Sequence, residues 1–215
     1  MLTNQSVRLT KQLVPTSRQR LLAAAAAEFA ARGFAGASVD RIAKAAHVNK
    51  AMIYYHFKSK AALYREILHD MFAAVAARVA AVDASPADPA DKIRAFVDAI
   101  ATAAEARPHF PPIWFREIAE GGTHLDNGTL AHVTEIVKTL GRIVQDGHAK
   151  GRFARMNPML IHAGIVAPLL LYFATGPMRR RLGKAGVPGV AKLSRDAVVA
   201  HVQRMAVLAL EGQGA

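Results

Sequence analysis

The 215-residue chain contains no cysteine. This absence excludes disulfides, thiolate metal sites and a cysteine nucleophile, and it fits a reducing cytoplasm. Residues 1–6 form no apolar segment of signal-peptide length, so we expect a cytoplasmic protein.

Catalytic motifs are missing as well. The sequence holds no Gly-rich phosphate loop, no nucleophile elbow and no conspicuous pair of carboxylates. None of its nine histidines shows the i, i+4 pairing with a nearby acid that hydrolytic zinc helices require. The sequence therefore predicts that the protein is not an enzyme and has neither a metal site nor a cofactor.

Sustained alternation of apolar and polar residues is absent, so no β-strand is predicted. Apolar residues make up 52% of the chain and alanine is abundant, which favours an all-α protein. One uncharged stretch, residues 159–178, is long enough to span a membrane and is followed by three arginines. His162, Pro168 and the Gly176-Pro177 pair favour a buried helix instead, so we expect no membrane association.

Acidic residues are scarce in the first third of the chain. Residues 1–65 hold eleven of the 28 Lys and Arg but only two of the 16 Asp and Glu, Glu28 and Asp40. This segment therefore carries +9 of the total charge of +12. A positive field concentrated on one segment is typical of a nucleic-acid-binding surface.

Two short helical patterns separated by a tight turn lie in residues 38–57. Ser38 can cap the first pattern, whose apolar residues recur at helical spacing. In the second pattern Ile53 and Phe57 share one face, and Ala51 and Tyr55 point away from it. So short a helix must pack through Ile53 and Phe57, which leaves its other face free to contact DNA.

This arrangement predicts a DNA-binding helix-turn-helix and assigns roles to its residues. We expect the groove-facing surface to comprise Lys50, Ala51, Met52, Tyr54 and Tyr55, although Tyr54 can also be interpreted as a partly buried core residue. Other side chains should position the DNA backbone: Ser38, His56, Lys58 and Lys60. Lys60 follows the N-cap candidate Ser59, where a cation opposes the helix dipole unless a phosphate binds there.

Residues 16–68 resemble the TetR family of transcriptional regulators. The resemblance rests on FAARGF at 29–34, SVDRIA at 38–43 and above all IYYHFKSKAAL at 53–63. The sequence departs from the family pattern at His47, where such turns prefer glycine, and at Ala51-Met52, where Gly-Thr or Ala-Ser is common. The resemblance implies an N-terminal three-helix helix-turn-helix domain and a larger C-terminal helical domain for ligand binding and dimerisation.

The expected domain limits follow from this resemblance and from the helical pattern. We expect a mobile arm at 1–16, which either reaches into a minor groove or is a disordered tail, a DNA-binding domain at 17–65 and a C-terminal domain at 66–215. The first helix should end at Gly33, and a long helix from about 59 to 82 should join the two domains through one apolar row.

A homodimer is expected because one recognition helix reads too few base pairs. The resemblance places the interface on the last two long helices. The residues predicted to form it are Leu169, Leu170, Val198, Val202, Met205 and Ala209. Alternatively, these stripes pack only within one subunit.

The C-terminal domain is rich in aromatic residues, which favours a small-molecule pocket. The predicted lining consists of Phe72, Phe96, Phe110, Trp114, Phe115, His162 and Tyr172. Because these walls offer no cluster of buried charge, the effector should be a small hydrophobic molecule; a solid aromatic core is the alternative. The Arg116-Glu117 pair recurs in many TetR-like C-terminal domains, but it assigns no role by itself.

Three classes of function remain. The resemblance favours a ligand-responsive repressor that binds a palindromic double-stranded DNA operator. A non-specific architectural DNA-binding protein would share the basic N-terminal segment but would not need an aromatic-rich domain of about 150 residues. An all-α enzyme is the third class, and no catalytic constellation supports it.

Overall fold

The computed structural model describes residues 15–212, and within that range it contains helices and no strands. This confirms the predicted all-α class. The α-helices are α1 (Ser17–Gly36), α2 (Val39–Ala45), α3 (Ala51–Phe57), α4 (Lys60–Asp83), α5 (Pro89–Ala106), α6 (Phe110–Ala119), α7 (Asn127–Ala149), α8 (Pro158–Ala174), α9 (Gly176–Lys184) and α10 (Arg195–Glu211). A short 3-10 helix covers Val190–Lys192.

The chain divides into two compact units, an N-terminal unit that ends at Leu63 and a C-terminal unit that begins at Tyr64. The domain limits given above stay a prediction. Of the expected N-terminal arm, only Pro15 and Thr16 lie within the described residues.

The N-terminal unit is a three-helix arrangement that the start of α4 closes. Thr16 caps α1 in a capping box, in which its hydroxyl accepts from the backbone N–H of Gln19 and the Gln19 side chain accepts from the Thr16 N–H. At Gly33, φ is 69°, a left-handed conformation that interrupts the helix where the sequence predicts its end. The core contains Leu21, Ala25, Phe29, Ile42, Ile53, Phe57 and Leu63.

In the C-terminal unit, α8 packs against α5, α6, α7 and α10. The apolar row predicted along α4 is buried in full: Leu63, Ile67, Met71, Val75 and Val79. Pro111 and Pro112 lie in the first turn of α6. A helix tolerates proline there because its first N–H groups have no partner within the helix.

The apolar stretch 159–178 is not one buried helix. It is split between α8 and α9, which meet at an angle of 63°, and Leu160 and Leu171 of α8 are exposed. Pro177, which cannot continue the hydrogen-bond ladder of α8, occupies the first turn of α9. Among the described residues no single helix is long and apolar enough to cross a membrane, and α8 and α9 meet that test only as a bent pair.

Candidate DNA-binding surface and effector cavity

The turn between α2 and α3 forms as the sequence predicts. Ser38 caps α2, its hydroxyl accepting from the backbone N–H of Asp40 at 3.2 Å. His47 adopts a left-handed conformation with φ of 53°, in place of the usual glycine. Two further bonds were not predicted: the Asn49 side chain accepts from the Ala51 N–H at 2.8 Å, and Arg20 of α1 donates to the Ala46 carbonyl at 3.1 Å. These bonds fix the start of α3 and hold the turn against α1.

Helix α3 has one buried and one exposed face. Ile53 is fully buried and Phe57 nearly so, whereas Tyr55 is 78% exposed. Tyr54 is 48% exposed, which excludes the interpretation that it belongs to the core. Ala51 is exposed and Met52 is half-buried. The structure thus leaves a face of α3 with two tyrosine hydroxyls available for contact with a base edge or phosphate.

Lys60 is engaged within the N-terminal unit. Its ammonium donates to the carbonyls of Phe34 and Ala37 at 2.9 and 3.1 Å and lies 4.6 Å from the centre of the Phe34 ring. These contacts therefore offset the unfavourable interaction of the Lys60 ammonium with the helix dipole, so no bound phosphate is needed to explain a cation at this position. The predicted cap beside it is present, since Ser59 accepts from the Ala62 N–H at 3.0 Å.

Most other cations of this unit also have partners. Lys50 forms an ion pair with Asp40, and the His56 ring lies 3.1 Å from the Ser17 hydroxyl. Among residues 15–63, Lys44 and Lys58 are exposed ammonium groups with no protein partner. Lys58 was predicted to contact DNA, and Lys44 was missed because no motif singles it out. These two lysines are the cations most available to phosphate.

The predicted effector pocket is a small apolar cavity of about 40 Å³. Four of the predicted residues line it: Phe72, Phe110, Trp114 and His162. The ring centres of Phe110 and Trp114 lie 5.4 and 4.7 Å from that of Phe72, both edge-on. Pockets for small molecules usually measure hundreds of Å³. In this conformation the site is therefore a nearly filled aromatic core.

Three predicted lining residues lie elsewhere. Phe96 is fully buried and does not line the cavity. Phe115 follows Trp114 in α6, so it points roughly 100° away from it. Tyr172 donates to the carbonyl of Leu193 at 3.3 Å and stacks under the Arg179 guanidinium at 3.8 Å. His162 is the one ionisable residue in the lining, it forms no hydrogen bond to another described residue, and burial lowers its pKa.

A buried polar cluster that the sequence did not reveal lies near the end of α6, outside the lining of the apolar cavity. Glu117 is fully buried and accepts from the Tyr64 hydroxyl at 2.9 Å, while His124 Nδ1 lies 2.8 Å away. Burial and this bond raise the pKa of Tyr64 far above its usual value. Gly121 and Gly122, with φ of 74° and 72°, let the chain reverse so that His124 returns over Glu117. Glu117 follows the buried Ile113 by four residues, a polar residue on an apolar stripe, which is the signal that could have revealed the cluster.

Glu117, Glu120 and His124 have donor atoms close enough to share a metal ion. Both oxygens of Glu117 already have hydrogen-bond partners, because the second lies 3.3 Å from the backbone N–H of His124. The Glu117 carboxylate therefore has protein partners at both of its oxygens.

Comparison with known proteins decides the family. Residues 21–67 match the family of bacterial regulatory proteins named tetR, and residues 89–207 match the tetracyclin repressor-like C-terminal domain. The chain belongs to the TetR family. Because TetR-family proteins are DNA-binding transcription factors, this chain is a transcriptional regulator and not an enzyme, as the sequence predicts.

Two curated TetR-family relatives are repressors. The chain is 31% identical to NicS of Pseudomonas putida over 164 residues, which cover 75% of this chain and 77% of NicS. It is 30% identical to SCO4008 of Streptomyces coelicolor over 204 residues, which cover 88% of this chain and 94% of the relative. A solved TetR-family regulator from Rhodococcus has a TM-score of 0.72 at 19% identity, covering 92% of this chain and 98% of its own, and supports the fold alone.

The residues predicted for the dimer interface lie on α8 and α10, but several of them are not at the surface. Leu169, Leu170 and Val202 are buried within this one chain, so they have little surface to give to a partner. Val198 is half-buried, whereas Met205 and Ala209 are exposed. The helical period of the sequence shows that a helix has an apolar stripe. It does not show whether that stripe faces the core of the same chain or the surface.

The outward apolar face also includes residues that the sequence analysis missed. Leu160 and Leu171 of α8 and Leu208 of α10 are exposed, and a groove of about 330 Å³ runs between the helices past Leu160, Pro168 and Met205. We name these residues, with Ala209, the α8–α10 face. An apolar groove with exposed leucines on the same two helices is typical of an interaction site.

Proposed function

We propose that this TetR-family regulator is a cytoplasmic repressor that binds a palindromic operator as a homodimer and is released by a small hydrophobic molecule. The observation that carries the DNA-binding part is the two-sided character of α3, with Ile53 fully buried and Tyr55 78% exposed. A helix anchored in this way can lie in the major groove with its outward side chains against base edges.

Binding in the presence of competitor DNA tests this part of the proposal. A repressor should prefer its operator to arbitrary DNA by at least about a thousandfold. Equal affinity for both would favour the architectural DNA-binding protein instead.

The homodimer is supported by the α8–α10 face. Leu160 is 68% and Leu208 64% exposed, and burying them against a second copy would remove apolar surface from water. Leu160→Glu should shift the protein to monomer in sedimentation at micromolar concentration. Leu130→Glu is the matched control, because Leu130 is an exposed leucine of α7 outside this face. A wild-type monomer, or equal effects of both variants, would contradict the proposal.

Effector release is supported by the apolar cavity beside α4, α6 and α8. With a volume of about 40 Å³ the cavity must expand to admit a ligand, so the ligand must favour an expanded conformation. Its walls are apolar apart from the His162 ring and the Trp114 N–H, which suits an apolar or aromatic molecule with one hydrogen-bonding group.

A thermal-shift screen of neutral aromatics, aromatic acids and sugars, followed by operator release, tests the effector. An aromatic hit should raise the melting temperature and weaken operator binding. Trp114→Ala should change the response to that hit more than Phe115→Ala, since only Trp114 lines the cavity. Hits limited to sugars, or equal responses of the two variants, would count against this site.

A further inference from the structure

An acidic residue lies against the lysine at the start of α3. The ammonium of Lys50 is 2.9 Å from Asp40 Oδ1 and 3.0 Å from Oδ2, so it is held by both carboxylate oxygens. The Lys50 and Asp40 side chains are 44% and 68% exposed; Asp40 lies in α2, and Lys50 directly precedes α3. An exposed pair of this kind contributes little to folding stability.

This pair lies where it can affect DNA binding rather than folding stability. Residues at the N-terminus of a recognition helix contact base edges, and Lys50 is the N-cap of α3. Hydrogen bonding to Asp40 raises the pKa of Lys50, so the ammonium stays charged. Glu28, the other acid among residues 15–63, is occupied by Arg41 at 2.6 Å and by the Ser38 N–H at 3.2 Å. Asp40 is therefore the acid of this unit whose partner is a proposed DNA-reading side chain.

We propose that Asp40 is a specificity-determining residue that restrains Lys50. On arbitrary DNA the Asp40 carboxylate stays paired with the Lys50 ammonium, so Lys50 does not bind a phosphate. On the operator, correctly placed acceptors on the bases replace the carboxylate, and Lys50 makes its contact. This inference rests on the proposed function, because it requires that α3 read an operator.

The restraint has a measurable size. A lysine that binds a phosphate releases a counterion and makes the slope of log K against log salt more negative by about 0.9. Asp40→Asn frees one Lys50 in each protomer, so for each protomer that contacts the duplex the affinity for arbitrary DNA should rise roughly fifteenfold at about 50 mM salt and roughly fourfold at about 200 mM. Operator affinity should rise less and with an unchanged slope, because Lys50 is already engaged there.

The experiment measures salt-dependent binding of the full chain to two duplexes of roughly 30 base pairs, which span successive major grooves. One is a fixed arbitrary sequence, and the other is the best sequence selected by the wild type from a random pool. Asp146→Asn is the matched control, since Asp146 forms an exposed ion pair of the same type with Lys150 at 2.8 Å in α7. Asp40→Asn is also combined with Lys50→Met, and melting curves confirm that every variant is folded.

Asp40→Asn should make the slope of log K against log salt steeper on arbitrary DNA, and Asp146→Asn should leave that slope unchanged. When Lys50 is also replaced, Asp40→Asn should no longer raise the affinity for arbitrary DNA. An equal gain in the Lys50→Met background would show that Asp40 acts by its own charge and would overturn the proposal. An unchanged slope would overturn it as well. A wild type that selects no sequence would contradict the proposed function itself, which is a separate failure.

Discussion

Two substitutions in α3 should separate folding from DNA binding. Ile53 and Tyr55 are two residues apart, yet Ile53 is fully buried and Tyr55 is 78% exposed. We expect Ile53→Ala to destabilise the N-terminal unit and Tyr55→Ala to leave its stability unchanged but weaken binding to the operator.

The magnitudes follow from burial. Replacing a fully buried isoleucine with alanine costs about 2–5 kcal/mol, because the neighbouring side chains close the cavity only in part. In a small domain each kcal/mol lowers the melting temperature by about 4–8 °C, so the shift should reach at least about 8 °C. Tyr55 has little packing to lose, and its replacement should change stability by less than about 0.5 kcal/mol. If its hydroxyl and ring contact a base, the loss should be about 1–3 kcal/mol of operator affinity.

Calorimetry on the full chain, followed by titration of operator and arbitrary duplexes, measures both effects. Tyr55→Ala should reduce operator affinity about 5- to 150-fold and change arbitrary binding little. Equal destabilisation by the two variants would refute the packing of α3. Unchanged operator affinity in Tyr55→Ala would refute its reading role.

Three further predictions concern the remaining polar groups. Tyr64→Phe removes a donor from buried Glu117 and should destabilise the C-terminal unit by about 1–3 kcal/mol in calorimetry. An unchanged melting temperature would contradict this contact. Because burial lowers the pKa of His162, the unfolded chain binds the proton more readily than the folded chain, so the free energy of unfolding should fall as the pH drops below about 6.5. In denaturant titrations, His162→Gln should remove this contribution to the pH dependence. Lys58→Ala should make the slope of log K against log salt shallower by about 0.9 for each protomer that contacts the DNA. Lys60→Ala should instead lower the melting temperature, because two carbonyls lose their donor; the opposite result for the two variants would contradict the contacts described.

Periodicity predicted α1 and α4 well because each has an apolar row to bury. The row from Leu63 to Val79 is buried in full, and the predicted break at Gly33 is present. The sequence also predicted that Ile53 faces inward and Tyr55 outward, since a helix fixes their relative direction.

Contacts between distant residues could not be predicted in this way. The carbonyls that hold Lys60 lie 23 and 26 residues away, and Asp40 of α2 contacts Lys50, which directly precedes α3. The α8–α10 face was partly misassigned for a related reason: α8 is apolar almost all round, so Leu169 and Leu160 look alike in the sequence although one is buried and the other exposed.

Selection of DNA from a random-sequence pool tests the central claim most directly. A dimeric TetR-family repressor that reads DNA through α3 should enrich palindromic sites with half-sites spaced by about one helical turn or a multiple of it. The same selection with Tyr55→Ala should lose the base preference. Recovery of no preferred sequence by the folded wild type, or an unchanged palindrome with Tyr55→Ala, would contradict the account.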